Sequence, residues 1–286
     1  MQHQNISADD GETLHLQVCG EGPPVLLLHG WTSSHMAFST LVEQLSKTYQ
    51  VLRPDARGHS VQKLTVNPAP DVKRLARDVI NLLDHLEIDR VVAVGHSMGA
   101  LTLWQCLRDF GSARFSHLAL IDQSPKLVTD ASWQGGIYGD FDSSRSQQFV
   151  EDLERDFVEA VLRLVAFGLN EKARASYLRN SSGWRAMRES LQTIDPASAI
   201  SIWKSLVAAD FRDVLPTIHV PALLVYGSCS NFYMAETARF VAAQIPGAQL
   251  SFYEGADHGP HLAQPERFVS ELRALINTPS PQAISP

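Results

Sequence analysis

Residues 91–94, Val-Val-Ala-Val, pass directly into Gly95-His96-Ser97-Met98-Gly99, and a helical pattern of Leu101, Trp104, Gln105, Leu107 and Arg108 follows at once. No other feature limits the fold so tightly. A buried strand that becomes a helix across so short a turn has no room for side chains two positions either side of the apex, and Gly95 and Gly99 have none. The apex residue, Ser97, then stands at a helix N-terminus, where backbone N–H groups and the helix dipole favour developing negative charge. A serine between glycines in an ordinary turn needs neither the strand before it nor the helix after it. The setting favours a reactive serine.

The rest of the chain alternates in the same way. Residues 25–28 and 223–226 are further apolar runs closed by His-Gly or Gly, as expected of central parallel strands covered on both faces. Residues 14–18, 51–53, 117–121 and 249–253 read as additional strands. Leu75, Val79, Leu82, Leu83 and Leu86 recur at helical spacing, as do Phe240, Val241 and Ile245. Strand alternating with helix predicts an α/β fold with a mostly parallel sheet wound on both sides. Residues 124–213 break the alternation, with several helical patterns and no convincing strand. The expected organisation is a core of residues 1–123 and 214–277, a helical insertion of 124–213 lying over the strand ends as a lid, and a disordered tail of 278–286.

Composition narrows the class of function. At 286 residues the chain is long enough for a large core, and a net charge of −7 argues against nucleic acid or an anionic membrane as partner. No apolar run reaches the roughly 20 residues that span a bilayer. Met1-Gln2-His3-Gln4-Asn5 lacks the basic start and apolar stretch of a signal peptide, so the expected location is cytoplasmic. Cys19, Cys106 and Cys229 are widely spaced and odd in number, which makes neither a disulfide framework nor a zinc site. The sequence implies no metal and no cofactor. The expected partner is a small molecule, and the reading leaves room for a homodimer.

Two further runs bear on chemistry. Leu28-His29-Gly30-Trp31 follows a buried strand, and its loop is placed to aim the Trp31 backbone N–H at the same developing oxyanion as the Met98 N–H. Gly255-Ala256-Asp257-His258-Gly259 follows the last strand. A serine hydroxyl needs a neighbouring base, and a late loop histidine suits the chain order Ser…Asp…His. His261 is the rival, but a helix starting near Pro260 encloses it, so His258 is the expected base.

Taken in order, His29-Gly30-Trp31, Asp55-Ala56-Arg57-Gly58-His59-Ser60, Gly95-His96-Ser97-Met98-Gly99, Phe211-Arg212-Asp213 before Ile218-His219-Val220-Pro221, and Asp257-His258 before Gln264-Pro265-Glu266-Arg267-Phe268 resemble the α/β-hydrolase fold enzymes over about residues 10 to 276. The resemblance implies an α/β-hydrolase fold and leaves the reaction open among esterases, lactonases, carbon–carbon bond hydrolases, cofactor-free perhydrolases and cofactor-free dioxygenases. Dehalogenases and epoxide hydrolases of this fold use an aspartate where this chain has Ser97.

One departure is informative. Where most such enzymes carry an aspartate after the strand at 223–226, this chain has Gly227-Ser228-Cys229-Ser230-Asn231, with no carboxylate. An imidazolium needs a compensating charge, and the other carboxylate at a strand end is Asp122, where some members of the family place the acid. If it is not the acid, Asp122 caps a helix that begins after it. Asp122 with Pro125-Lys126, Gly30-Trp31 and His35 is also similar to the 3-hydroxy-4-quinolone 2,4-dioxygenases, although those have a histidine at the position of Met98. The leading expectation is a serine hydrolase of a carboxylic ester or related acyl bond with Ser97, His258 and Asp122 as triad. The alternatives are a cofactor-free ring-cleaving dioxygenase and a non-catalytic ligand-binding relative. His35, His96, Trp133, Tyr138, Phe141 and Trp184 are the expected substrate-binding residues. Together with Phe167 and Trp203 of the insertion, they suggest an apolar or aromatic substrate.

Overall fold

The computed structural model describes residues 2–59, 64 and 69–280; Ser60 of the Asp55-to-Ser60 motif and residues 281–286 lie outside them. Eight strands form one sheet in the order β1-β2-β4-β3-β5-β6-β7-β8, namely β1 Gln2–Ser7, β2 Thr13–Cys19, β3 Pro24–Leu28, β4 Gln50–Pro54, β5 Val91–His96, β6 Phe115–Ile121, β7 Ala222–Gly227 and β8 Gln249–Tyr253. β1 and β2 are antiparallel to their neighbours, and every other pairing is parallel. All seven strands read from the sequence are present. β1 is additional: in Gln-His-Gln-Asn-Ile-Ser only Ile6 is buried, so the strand has no apolar signature and is held by backbone pairing at the sheet edge.

The period-2 pattern of the strands separates two cores. Leu26, Leu28, Ala93, Leu118, Leu120 and Leu224 face one side, where α2 (Val72–His85), α3 (Met98–Phe110) and α9 (Ala235–Gln244) pack. Val25, Leu27, Val92, Val94, Ala119, Ile121 and Val225 face the other, against α1 (Ser39–Leu45) and α11 (Pro265–Ile276). The runs with no polar alternation are therefore strands buried on both faces. Asp71 starts α2 by accepting from the Arg74 N–H at 2.7 Å, and Leu75, Val79, Leu82 and Leu83 form its buried stripe.

Between β6 and β7 lie five helices: α4 Ser143–Arg155, α5 Phe157–Ala166, α6 Glu171–Leu178, α7 Ser182–Leu191 and α8 Pro196–Ala208. The ends of this insertion meet, since the Phe211 N–H donates to Pro125 O at 2.8 Å and Lys126 bridges to Asp210. No helix follows Asp122 directly, so it caps none. The segment expected to be disordered is tied down at its start. His117 Nε2 donates to Thr278 O at 3.0 Å, and the Ser280 hydroxyl donates to Ser116 O at 2.7 Å. Hydrogen bonds between side chains and main chain at β6, which no composition signal reports, hold these residues.

The chain leaves β3 toward β4 on one side and enters β5 on the other, so the loops after β3 and β5 diverge and open a crevice at the carboxyl ends of the strands. Five strand ends, those of β3, β5, β6, β7 and β8, contribute loops there.

Candidate active site

Ser97 sits between β5 and α3 with φ 54° and ψ −117°, a backbone conformation that L-residues rarely adopt. Its N–H is held by Ile121 O at 3.0 Å. The flanking glycines are steric necessities. A Cβ on Gly99 lies 2.2 Å from Leu28 O, and one on Gly95 lies 2.6 Å from the Ala100 N and the Gly99 carbonyl. The turn therefore stays tight only because α3 presses directly on β3. The short-range pattern of the sequence and the tertiary packing make the same demand.

Asp122 ends β6, also at positive φ (45°), and is fully buried. One oxygen, Oδ2, accepts the Gly227 N–H at 2.9 Å. The other, Oδ1, accepts the Ser230 hydroxyl at 2.8 Å and Nδ1 of His258 at 3.2 Å. Such a donor set stabilises a buried carboxylate. The turn 227–231 therefore supplies two donors to a carboxylate on the neighbouring strand, and Asn231 Oδ1 accepts the His258 N–H at 3.3 Å. Ser230 and Asn231 were not among the residues expected to matter. The signal available was the missing carboxylate in that run, which leaves its polar groups to serve another.

His258 lies on the loop between β8 and α10 (Pro260–Ala263). With Nδ1 donating to Asp122, its Nε2 carries the lone pair. The ring packs edge-on against Phe232, 4.5 Å between centroids, and beside His96 at 4.8 Å. Asp257, its sequence neighbour, turns to accept the Gly259 N–H at 2.9 Å. His261 lies in α10, fully buried among Phe38, His96 and Phe268, and among the described residues neither ring nitrogen has a hydrogen-bond partner. Burial pushes its pKa down to about 3, so it is a neutral packing residue.

Ser97 and His258 border one cavity of about 270 Å³, which also takes in Trp31, Met98, Leu101, Gln123, Val161, Leu164, Met187, Trp203, Leu206 and Phe232. Its wall is mainly apolar, with contributions from α5, α7 and α8. Among the described residues, Asp257 is the single carboxylate on its border, and no lysine or arginine lies there. Among the described residues, the Ser97 hydroxyl and the Trp31 and Met98 backbone N–H groups make no hydrogen bond. The loop presenting Trp31 is fixed by His29, whose Nδ1 donates to Gly30 O at 2.8 Å and whose Nε2 accepts the Ala56 N–H at 2.9 Å. The Trp31 indole is occupied with Ala199 O at 2.9 Å and stacks near Trp203. Among the described residues, no group of three or more His, Cys, Asp or Glu is disposed to hold a metal ion, and no helix is long and apolar enough to cross a membrane.

The residues expected to bind substrate divide. His96 borders the cavity, as does Trp203. His35 does not: its Nδ1 is held by Asp55 at 2.9 Å, and this pair anchors the loop after β4. Trp133 is turned away, its indole donating to Lys126 O at 2.8 Å and its ring packing on Phe240. Tyr138 and Phe141 border a separate groove over α4 and α5, and the Tyr138 hydroxyl is bound to Leu164 O. Trp184 borders a groove beside α6 and α7 that shares Met187, Asn231 and Asp257 with the cavity. Aromatic content alone does not say which face of a helix meets the crevice. Met187, on α7, was missed for the same reason, and Phe232 lies in the turn after β7, where no local pattern marks it.

Comparison with known proteins agrees with this architecture. The pimeloyl-[acyl-carrier protein] methyl ester esterase of Nitrosomonas europaea is 26% identical over 271 residues, covering 92% of this chain and 99% of that protein. The protein of the same description from Xanthomonas campestris pv. campestris is 27% identical over 266 residues, with 92% and 98% covered. Among solved structures, a bromoperoxidase from Bacillus anthracis matches with TM-score 0.84 at 20% identity, over 97% of this chain and 100% of that one. An esterase from Exiguobacterium antarcticum matches with TM-score 0.82 at 23% identity, over the same shares. At such identities these structures speak to the fold. The sequence model described as the alpha/beta hydrolase family matches residues 25–271, and with the sheet order and strand-end crevice described above the chain belongs to that family.

Proposed function

We propose that the protein hydrolyses a carboxylic ester of a small, apolar or aromatic substrate through an acyl-enzyme on Ser97. The observation that carries the reading is the convergence on one cavity of a serine at a strained turn, a histidine whose Nδ1 is bound to a buried carboxylate, and two backbone N–H groups without acceptors. Ser97 Oγ attacks the ester carbonyl while His258 Nε2 takes its proton. Asp122 holds the imidazole in the required tautomer and balances the imidazolium. The Trp31 and Met98 N–H groups receive the oxyanion, where a single donor is worth about 3 kcal/mol. Collapse expels the alcohol with the proton from His258, and water, activated by the same residue, releases the acid. The relatives named for methyl ester cleavage support an ester as the substrate. The insertion of residues 124–213 acts as the lid, since α5, α7 and α8 wall the cavity.

A cofactor-free oxygenation needs only the His258–Asp122 pair to deprotonate an aromatic hydroxyl. It does not use a strained serine beside two open N–H donors, and that arrangement favours hydrolysis. Purified protein is expected to cleave short p-nitrophenyl esters without oxygen, and to take the new oxygen atom from water. Ser97→Ala is expected to lower kcat by about a millionfold with the fold intact. Undiminished turnover in Ser97→Ala sinks the reading. So does oxygen consumption with a hydroxyquinolone that survives Ser97→Ala and is lost in His258→Ala.

A further inference from the structure

The main chain of His258 is held on both sides by side chains from other parts of the fold. Nε2 of His96, at the end of β5, donates to His258 O at 2.8 Å. Asn231, in the turn after β7 and 2% exposed, accepts the His258 N–H on Oδ1 at 3.3 Å, while its Nδ2 donates to Val165 O of α5 at 3.1 Å. We propose that His96 and Asn231 are positioning residues that clamp the backbone of residue 258, so that the imidazole is set against Ser97 by its own main chain as well as by Asp122. This rests on His258 being the base of the proposed hydrolysis.

The chemistry of each residue suits the role. A carbonyl only accepts, so the His96 proton lies on Nε2, and its buried Nδ1 has no partner among the described residues. Desolvation, followed by the neighbouring His261 and His258, holds the His96 pKa far below its ordinary value, so its one N–H stays committed to the His258 carbonyl. Asn231 uses both ends of its amide at once. An aspartate there loses the donor to Val165 O and adds a second carboxylate to the turn that already serves Asp122. The same amide ties the histidine loop to α5, whose Val161, Leu164 and Val165 wall the cavity.

The clamp is tested by His96→Leu, His96→Gln and Asn231→Leu, with p-nitrophenyl ester turnover expressed per active site titrated by an organophosphonate. Loss of the donor or acceptor facing residue 258 is expected to lower kcat roughly ten- to a hundredfold, because small misplacements of a catalytic group carry costs of this size. KM is expected to stay within about twofold, and His96→Gln, whose amide nitrogen reaches the same carbonyl, to recover most of the rate. A merely structural role lowers the titratable fraction and leaves kcat per site unchanged. Unchanged kcat per site in His96→Leu, or equal impairment in His96→Leu and His96→Gln, overturns the clamp. If Asn231→Leu fails to fold, the His96 pair alone decides it. Should His258→Ala itself keep full turnover, the hydrolytic reading falls first and takes the clamp with it. If His258→Ala is dead and His96→Leu is wild-type, only the clamp falls.

Discussion

Helix α3 and the α6–α7 pair belong to the same chain and are held in opposite ways. In α3 every residue from Met98 to Leu107 is buried, and the helix starts so close to β3 that Gly99 has no space for a methyl group. In α6 no residue is buried, in α7 only Leu191 is, and Leu178 is 66% exposed. The first helix carries the turn on which Ser97 stands, and the second pair borders the approach to the cavity through Trp184 and Met187. Groups that make and break bonds need fixed positions, which packed strand ends supply. A cover that admits and releases substrate is drawn from the least anchored parts of a fold. On the proposed reading, reaction geometry belongs to the sheet and selectivity to the insertion.

The strongest way to break this comparison is at the packed end. Asp122→Asn keeps the size of the side chain and removes the charge beside His258, and kcat is expected to fall about ten-thousandfold with folding preserved. Steady-state kinetics with circular dichroism on the variant decide it, and near-normal turnover means another group orients the histidine. Next comes the turn itself. Gly99→Ala pushes a methyl into Leu28 O, and since the contact is with backbone the strain has little relief. A loss of about 3 kcal/mol or more is expected in urea unfolding. A variant as stable as wild type shows that α3 has slack, and the contrast with α6–α7 then loses its basis.

A third test uses His261, buried neutral beside the site with a pKa of about 3. Its unfolded value is near 6.5, so between these limits the unfolded chain binds a proton that the folded chain does not. Stability therefore falls as pH drops from about 6.5 toward 3, by about 1.4 kcal/mol per pH unit for this residue. His59 is depressed to the same value by burial and adds to the slope. Replacing His261→Leu is expected to recover about 2 kcal/mol of the stability lost between about pH 7.5 and pH 5, read from urea midpoints at both. An identical slope in the variant means that residue 261 is protonated in the folded protein.

The smallest effect sharpens the comparison from the loose side. Leu178→Ser on exposed α6 is expected to change unfolding free energy by less than about 0.5 kcal/mol. A loss above about 1 kcal/mol means that α6 is anchored more firmly than its exposure indicates.

Ser97 was legible because everything that defines it is local: an apolar strand, two glycines and a helical period within about twenty residues. The central strands β3, β5 and β7 were legible for the same reason, since burial on both faces leaves an apolar run that needs no partner to be recognised. The proposed base was narrowed by local reasoning too, as Pro260 starts a helix that encloses His261 and leaves His258 on the loop. Asp122 was reachable only by elimination, because its contact with His258 joins residues 136 positions apart and is made by the adjacency of β6, β7 and β8. Ser230, Asn231 and His96 acquire their partners in the same way, from loops that meet at the strand ends. Which aromatic residues wall the cavity depended on how the insertion packs: Trp203 of α8 meets it, whereas Trp133, in the loop before α4, turns to Lys126 O. A periodic pattern marks the apolar face of a helix but not what that face packs against; that is set by the angles at which helices cross and by where the ends of the insertion are pinned.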